Sequence, residues 1–353
     1  PKGQNDQYII NEKEITKVRA KVLIAGGGMA GSSVFRYFSE ANLNPILINN
    51  ETGSSWACIA GGRPSFSIPE IADIAKHNHE LFKELQKLSN IDYHPIQYVN
   101  FAHDEETYNN LIQSMEWSDA YMIKPEDYAK EISPYINPDL KKTYFTAQIS
   151  NNCWQATPGK TINLLRNIGI SKGGVVKENC KLIDVKKDGD LFVAIVQDID
   201  KKYIEYTVDH FVNALGPNAD AFAKKLDINT GLYPIKHQAF ITRKLPMLGV
   251  NGNQLNMLID RRNYKNYIAV YGQQLRETGQ VIICASPTID AQQANKDLKV
   301  NTKDFFEVAN EVFVNWIPNL ANVSLQSAWS GYYTEPRMIV DHECGLIVGL
   351  KGH

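Results

Sequence analysis

Gly26, Gly28 and Gly31 stand at G-x-G-x-x-G spacing, and each has a separate mechanical job if a diphosphate is to rest there. Gly26 permits a tight turn, Gly28 offers bare backbone to a pyrophosphate, and Gly31 lets a helix press against a strand. The N–H groups of Met29 and Ala30 then add free donors at the positive end of the helix dipole. The spacing alone is a weak signal, since a glycine-rich turn can bind nothing. Its weight comes from the elements on either side. Residues 20–25 (Ala-Lys-Val-Leu-Ile-Ala) form an apolar run suited to a buried parallel strand. Ala30, Val34, Phe38 and Ala41 share a helical face, and residues 44–49 make a second strand. Strand, glycine turn, helix and strand fill about thirty residues, as a mononucleotide-binding half should. Such a half usually ends its second strand with Asp or Glu on the adenosine ribose. Here Asn49-Asn50-Glu51 stands there. An amide accepts a ribose hydroxyl less strongly than a carboxylate, so Asn49 and Asn50 are the ribose candidates and Glu51 a substitute. The lack of a positioned arginine disfavours NADP.

The chain has 353 residues, 43% hydrophobic and 22% charged, with a net charge of −2. That allows a sizeable core and gives no overall basic field for nucleic acid. Its five cysteines lack C-x-x-C spacing and are odd in number, which argues against a disulfide framework or a zinc site and for a reducing, cytoplasmic setting. No metal site is expected. No stretch reaches 18 apolar residues, so no membrane span is expected. The first residue is Pro1 rather than Met, as in a processed or trimmed chain.

Further along, residues 70–89, 104–116, 159–168 and 303–316 read as helices, the last with Phe305, Val308, Val312 and Trp316 inward. Residues 179–214 read as antiparallel strands with turns at Asp188-Gly189 and near Asp200. Residues 233–243, 255–261, 266–271 and 279–285 are strand-like, and 345–349 is the last strand candidate. The expected fold class is α/β: a Rossmann-type domain (18–75, 150–232 and 325–353) interleaved with an α+β substrate domain (76–149 and 233–324) on a mostly antiparallel sheet.

Five patches make the sequence resemble the D-amino-acid-oxidase-like FAD-dependent oxidoreductases, the branch of glycine oxidase, sarcosine oxidase and D-amino-acid dehydrogenases. They are the Gly26–Gly31 fingerprint, residues 53–62, residues 178–188, residues 212–217 and residues 345–353. By this resemblance, Ser54, Ser55, Ala60, Gly61 and Gly62 form a small-residue loop against the FAD. The Leu182 backbone pairs with adenine, and Ala214 and Gly216 close over the cofactor. Lys351, Gly352 and His353 lead toward the pyrimidine edge of the flavin. Cys58, within the loop, reads as a small buried thiol.

The resemblance also implies a tyrosine over the substrate, for which Tyr267 is the candidate. The family's Gly-Leu-Arg-Pro clamp for a substrate carboxylate is missing: Trp329-Ser330-Gly331-Tyr332-Tyr333 occupies the place, with Tyr333 at the arginine. Arg63 and Arg337 are the replacement candidates, and His237 a further catalytic candidate that reads more readily as structural. Where this sequence stops at His353 the family continues into a C-terminal helix. The implied activity is oxidation of a small amine or amino acid by hydride transfer to flavin N5, with oxygen or a quinone-linked acceptor taking the electrons onward. Oxidation of a hydroxy compound, such as a 2-hydroxy acid or glycerol 3-phosphate, and a non-catalytic flavoprotein are the alternatives. A homodimer stays open.

Overall fold

The computed structural model describes residues 15–50, 53–66, 68–133, 135–245, 255–262, 264, 267–287, 302–321, 324–336, 339–340 and 347–348. The chain forms two compact units. The first comprises Pro1–Trp56, Ile162–Tyr233 and Pro336–Gly349, and the second Ala57–Thr161, Pro234–Glu335 and Leu350–His353.

In chain order the strands begin with β1 (Thr16–Ala25), β2 (Ile46–Asn49), β3 (Gly61–Gly62), β4 (His94–Ala102), β5 (Ala120–Ile123) and β6 (Thr146–Gln155). There follow β7 (Val175–Glu178), β8 (Lys181–Asp188), β9 (Leu191–Gln197), β10 (Tyr203–Asn213) and β11 (Leu232–Thr242). The last large ones are β12 (Met257–Asp260), β13 (Tyr267–Gln274), β14 (Val281–Pro287) and β15 (Leu325–Pro336). Of the expected strand at 345–349, Ile347–Val348 is described, paired with Ile339–Val340.

The first unit is an α/β layer structure on a six-stranded sheet of order β7-β2-β1-β10-β9-β8. The strands from β7 to β10 run parallel, and β9 and β8 fold back antiparallel. Val22, Leu23, Ile24 and Ala25 have no exposed surface, because a parallel strand is covered on both faces. Val22, Ile24 and Leu47 pack with Phe35 on one face, while Leu23, Ala25 and Ile48 join Leu182 and Val196 on the other.

The helix after the glycine turn spans Met29–Glu40, and its buried face corrects the expected one. Gly31, Ser32, Phe35 and Ser39 point inward, whereas Ala30 and Ala41 are exposed and Val34 and Phe38 only flank the core. Small residues won the inward face because the helix approaches the sheet closely. Their hydroxyls do not penalise burial: Ser39 donates to the Phe35 carbonyl at 2.7 Å and Ser32 to the Gly27 carbonyl at 3.2 Å.

The second unit is built on a mostly antiparallel sheet of order β15-β11-β14-β13-β12-β4-β6-β3, with β5 beside β6. One pair, β12 with β4, is parallel. The sheet has two unlike faces. Phe101, Leu258, Val270, Ile283 and Phe240 turn toward the helix Thr302–Trp316, whose inward face is Phe305, Val308, Val312 and Trp316 as the periodicity predicts. Tyr98, Met257, Ile282, Cys284 and Ala239 alternate with them and form the opposite face.

Candidate functional site

The glycine turn of the first unit is fastened by a closed ring of polar side chains. Gly27 N–H donates to Asn49 Oδ1 at 3.2 Å, Asn49 Nδ2 donates to Glu178 Oε2 at 2.8 Å, and Arg166 Nη1 donates to Glu178 Oε1 at 2.5 Å. Arg166 Nη2 then returns to the Gly27 carbonyl. Asn49 and Glu178 are register partners at the ends of parallel β2 and β7. The acid missing from the end of β2 is therefore present one strand over, its side chain 48% exposed while that of Arg166 is 9% exposed. Burial pushes the Arg166 guanidinium down from its usual range, and the Glu178 carboxylate opposes that shift.

The N-terminus of the Met29–Glu40 helix has no side-chain cap at Gly28 and no acid in its first turn. Met29 N–H meets Ser55 Oγ at 3.1 Å. The Met29 donor expected to be free is thus taken by Ser55, while an acid-free helix start beside side-chain-free backbone keeps the donor chemistry a diphosphate requires. Ser54 and Ser55 lie in the helical turn Ser54–Ala57, Ala214 N–H donates to the Ala25 carbonyl at 2.8 Å, and Gly216 has a φ of 54°. Leu182 is buried at an irregularity in the β8–β9 pairing, and Asn50 is exposed. Lys351, Gly352, His353 and Arg337 lie outside the described residues.

In the second unit a cavity of about 470 Å³ opens on the face of the sheet turned away from the Thr302–Trp316 helix. Gly61 on β3, Arg63 just after it, Tyr98 on β4, His237 on β11, Tyr271 on β13 and Tyr333 on β15 all line it. The rings of His237 and Tyr333 lie 3.9 Å apart. Gly62 and Ala60 belong to the same loop, where Ala60 holds a φ of 70°, a left-handed conformation that costs a non-glycine residue about 1 kcal/mol. The walls are poorly solvated: burial pushes the Tyr98 and Tyr271 phenols well up, so both are neutral near pH 7. It pushes the Arg63 guanidinium down. Among the described residues no group of His, Cys, Asp or Glu could hold a metal ion.

Four of the five expected catalytic candidates fall in the described residues, and the cavity gathers three of them: Arg63, His237 and Tyr333. Tyr267 goes elsewhere. It is buried against Phe305 on the helix-covered face, with Gln238 Nε2 at 3.4 Å from its hydroxyl. A β-bulge between Tyr267 and Ala269 breaks the alternation, so Ala269 and Tyr271 reach the cavity while Tyr267 faces away. Tyr98, Tyr271 and Arg261 line the cavity without having been singled out in the sequence. Period two gave a usable signal for Arg261, which continues the row Met257, Ile259 once β12 is placed.

Residues 21–351 match the family model described as "DAO: FAD dependent oxidoreductase". Glycine oxidase of Bacillus subtilis (strain 168) is 24% identical over 229 residues, covering 61% of this chain and 59% of that relative. The chain thus spans somewhat over half the length of the curated relative it matches. Among solved structures, L-proline dehydrogenase from P. horikoshii superposes with a TM-score of 0.75 at 21% identity, covering 90% of this chain and 82% of that one. Glycine oxidase from Geobacillus kaustophilus gives 0.73 at 16% identity, covering 93% and 84%. At these identities the two structures establish a shared fold.

Proposed function

From the premise that the chain belongs to the DAO family of FAD dependent oxidoreductases, we propose that it oxidises a small amine or amino acid by hydride transfer to the flavin. The chemistry that bound FAD would supply is a hydride acceptor: as the substrate C–H bond breaks, the amine lone pair would form the C=N bond, an N–H proton would pass to solvent, and water would hydrolyse the imine. The observation that carries this reading is Arg63 on the wall of a small, aromatic-lined cavity in the second unit. Its Nη1 donates to the Ser65 carbonyl at 2.5 Å and its guanidinium rests 4.5 Å from the Phe66 ring centroid. Those contacts orient the fork for a carboxylate. Tyr98 and Tyr271, kept neutral by burial, can hydrogen-bond a substrate without competing for its charge. The His237 and Tyr333 rings, in contact at a tilt of 35°, close one side. The names glycine oxidase and L-proline dehydrogenase point the same way.

We assign the cofactor's diphosphate to Gly26–Gly31, with Ser55 beside Met29. We assign the adenosine ribose to Glu178, with Asn49 holding the loop rather than the sugar. By the same assignment the first unit is the FAD domain and the second the substrate domain, so residues 57–75, 150–161 and 325–335, expected from the sequence in the FAD domain (18–75, 150–232 and 325–353), go with the substrate domain (76–149 and 233–324) instead. Replacing Glu178 with Gln removes the charged acceptor and is expected to weaken FAD binding about tenfold. Flavin release on dilution reads this directly, and unchanged retention would remove Glu178 from the ribose site. No described helix is long and apolar enough to cross a membrane. None of the four described cysteines is in a disulfide, and a cytoplasmic location is part of the proposal. Oxygen or a quinone-linked carrier is the proposed acceptor.

The deciding experiment is spectroscopic. The purified protein should be yellow, and under anaerobic conditions a panel of amino acids and secondary amines should bleach it, while 2-hydroxy acids and glycerol 3-phosphate should not. Bleaching by the hydroxy compounds alone would overturn the amine reading, and bleaching by nothing would leave a flavoprotein without this chemistry.

A further inference from the structure

Two arginines line the cavity of the second unit, and neither has an acid partner among the described residues. Arg63 is held by a backbone carbonyl and an aromatic ring. Arg261 makes one long bond, Nη2 to Asn100 Oδ1 at 3.2 Å, and its Nε is sealed from water with no acceptor. Arg262, the next residue, is treated in the opposite way. It is bound to the fully buried Asp260, Nη2 to Oδ2 at 2.7 Å and Nε to Oδ2 at 2.9 Å. The alternation of β12 explains the split, since Leu258 and Asp260 face the helix-covered core while Met257, Ile259 and Arg261 face the cavity.

A buried guanidinium ordinarily comes with a carboxylate. Asp104 and Glu106 also border the cavity, but they are exposed, and Asp104 is taken by Thr107 N–H at 2.7 Å and His103 Nε2 at 3.0 Å. Among the described residues no carboxylate reaches Arg63 or Arg261 within 4.0 Å. Burial lowers both guanidinium groups, and the charge of Arg63 lowers Arg261 further, to about 9. Each guanidinium thus disfavours the other's charge, and an anion held between them would raise both again.

We propose that the cavity is built for a substrate with two anionic groups, a dicarboxylic amine whose carboxylates are taken one by Arg63 and one by Arg261. The class comprises acidic amino acids and N-carboxyalkyl amino acids. This rests on the amine-oxidising reading given above and narrows its substrate. Arg261 thereby becomes a specificity-determining residue of the same site.

The test has a binding arm and a turnover arm, both on FAD-loaded protein. In the binding arm, glutarate and succinate are compared with propionate by calorimetry and by the shift of the flavin spectrum. The dicarboxylates should bind at least about tenfold tighter, since a second charged hydrogen-bonded pair is added. Arg261→Ala should bring the preference within about threefold, and Arg261→Lys should restore part of it. Equal binding of mono- and dicarboxylates to the unmodified protein overturns the proposal, even should Arg261→Ala fail to fold. So does an Arg261→Ala protein that keeps the preference. In the turnover arm, both enantiomers of aspartate and glutamate, with iminodiacetate, are set against glycine, alanine and proline. Faster bleaching by the acidic set supports the proposal. Bleaching by the neutral set with no gain from a second carboxylate leaves the amine reading standing and overturns this one. If no amine bleaches the flavin, the amine reading fails, and with it the assignment of an amine substrate to the two arginines.

Discussion

Replacing Gly31 with valine should give a protein that retains no flavin and whose first unit is destabilised by more than about 3 kcal/mol, at the upper end of the range for overpacking. A side chain on Gly31 would overlap the Gly26 carbonyl oxygen and press on Ala214 Cβ. Neither can move away. Gly26 is tied by its N–H to the Ile48 carbonyl at 2.9 Å, and Ala214 by its N–H to the Ala25 carbonyl at 2.8 Å. Gly26 itself sits at a φ of 106°, and a side chain there would strike the Ala214 carbonyl. The three strand ends β1, β2 and β10 thus fix the turn, and the helix start can reach them only where side chains are missing. Gly53→Ala is the control, because nothing lies within 4 Å of the added atom. Thermal unfolding of the apo-protein and flavin absorbance after reconstitution check the pair. A Gly31→Val protein that reconstitutes like the unmodified one would sink the assignment of the diphosphate to this turn.

That turn was legible in the sequence because the proposed diphosphate site and the packing demand the same residue type at fixed spacing. The acid proposed for the ribose was not legible. Glu178 lies 129 positions from Asn49, and only the parallel register of β2 with β7 brings the two side by side. The same holds for the cavity of the second unit. Arg63 could be named because it follows a recognisable loop, whereas Arg261 needed the location of a four-residue strand before its parity meant anything. Two strands in the middle of the second unit's sheet, β4 and β6, gave no clear alternation. Their inward positions carry Asn100, Gln148 and Ser150, polar residues that are fully or almost fully buried. Gln148 Nε2 donates to the Leu111 carbonyl and to Ser114 Oγ, at 2.6 and 3.0 Å. A buried polar network of this kind looks like loop until its partners are known. Tyr267 shows the converse, since a single bulge reversed the face of a residue whose neighbours were read correctly.

Asp260→Ala should destabilise the second unit by about 3–5 kcal/mol, the usual loss when one member of a buried ion pair is removed. Asp260 has no exposed surface. It accepts Arg262 N–H at 2.9 Å, Arg262 Nη2 at 2.7 Å and the Tyr264 hydroxyl at 2.9 Å, with the Tyr144 hydroxyl completing the set. Trp316 Nε1 in turn donates to the Tyr144 hydroxyl at 3.2 Å, so the network ties β12 to the helix that covers the core. Arg262 is wedged between the Tyr144 and Tyr264 rings, 4.9 and 4.6 Å from their centroids, and cannot swing out to water without breaking both contacts. Deleting the carboxylate therefore strands a guanidinium. Asp260→Asn keeps the shape and loses only the charge, so its cost should fall nearer about 2 kcal/mol. The double replacement Asp260→Leu with Arg262→Met removes both charges and should recover most of the stability lost by Asp260→Ala alone, because a buried ion pair gains little over a well-packed apolar pair. Denaturant unfolding of the four proteins measures these differences. An Asp260→Ala protein within about 1 kcal/mol of the unmodified one would mean that Arg262 finds water after all. The contrast between a neutralised Arg262 and an unneutralised Arg261, from which the two-anion substrate was inferred, would then lose its force.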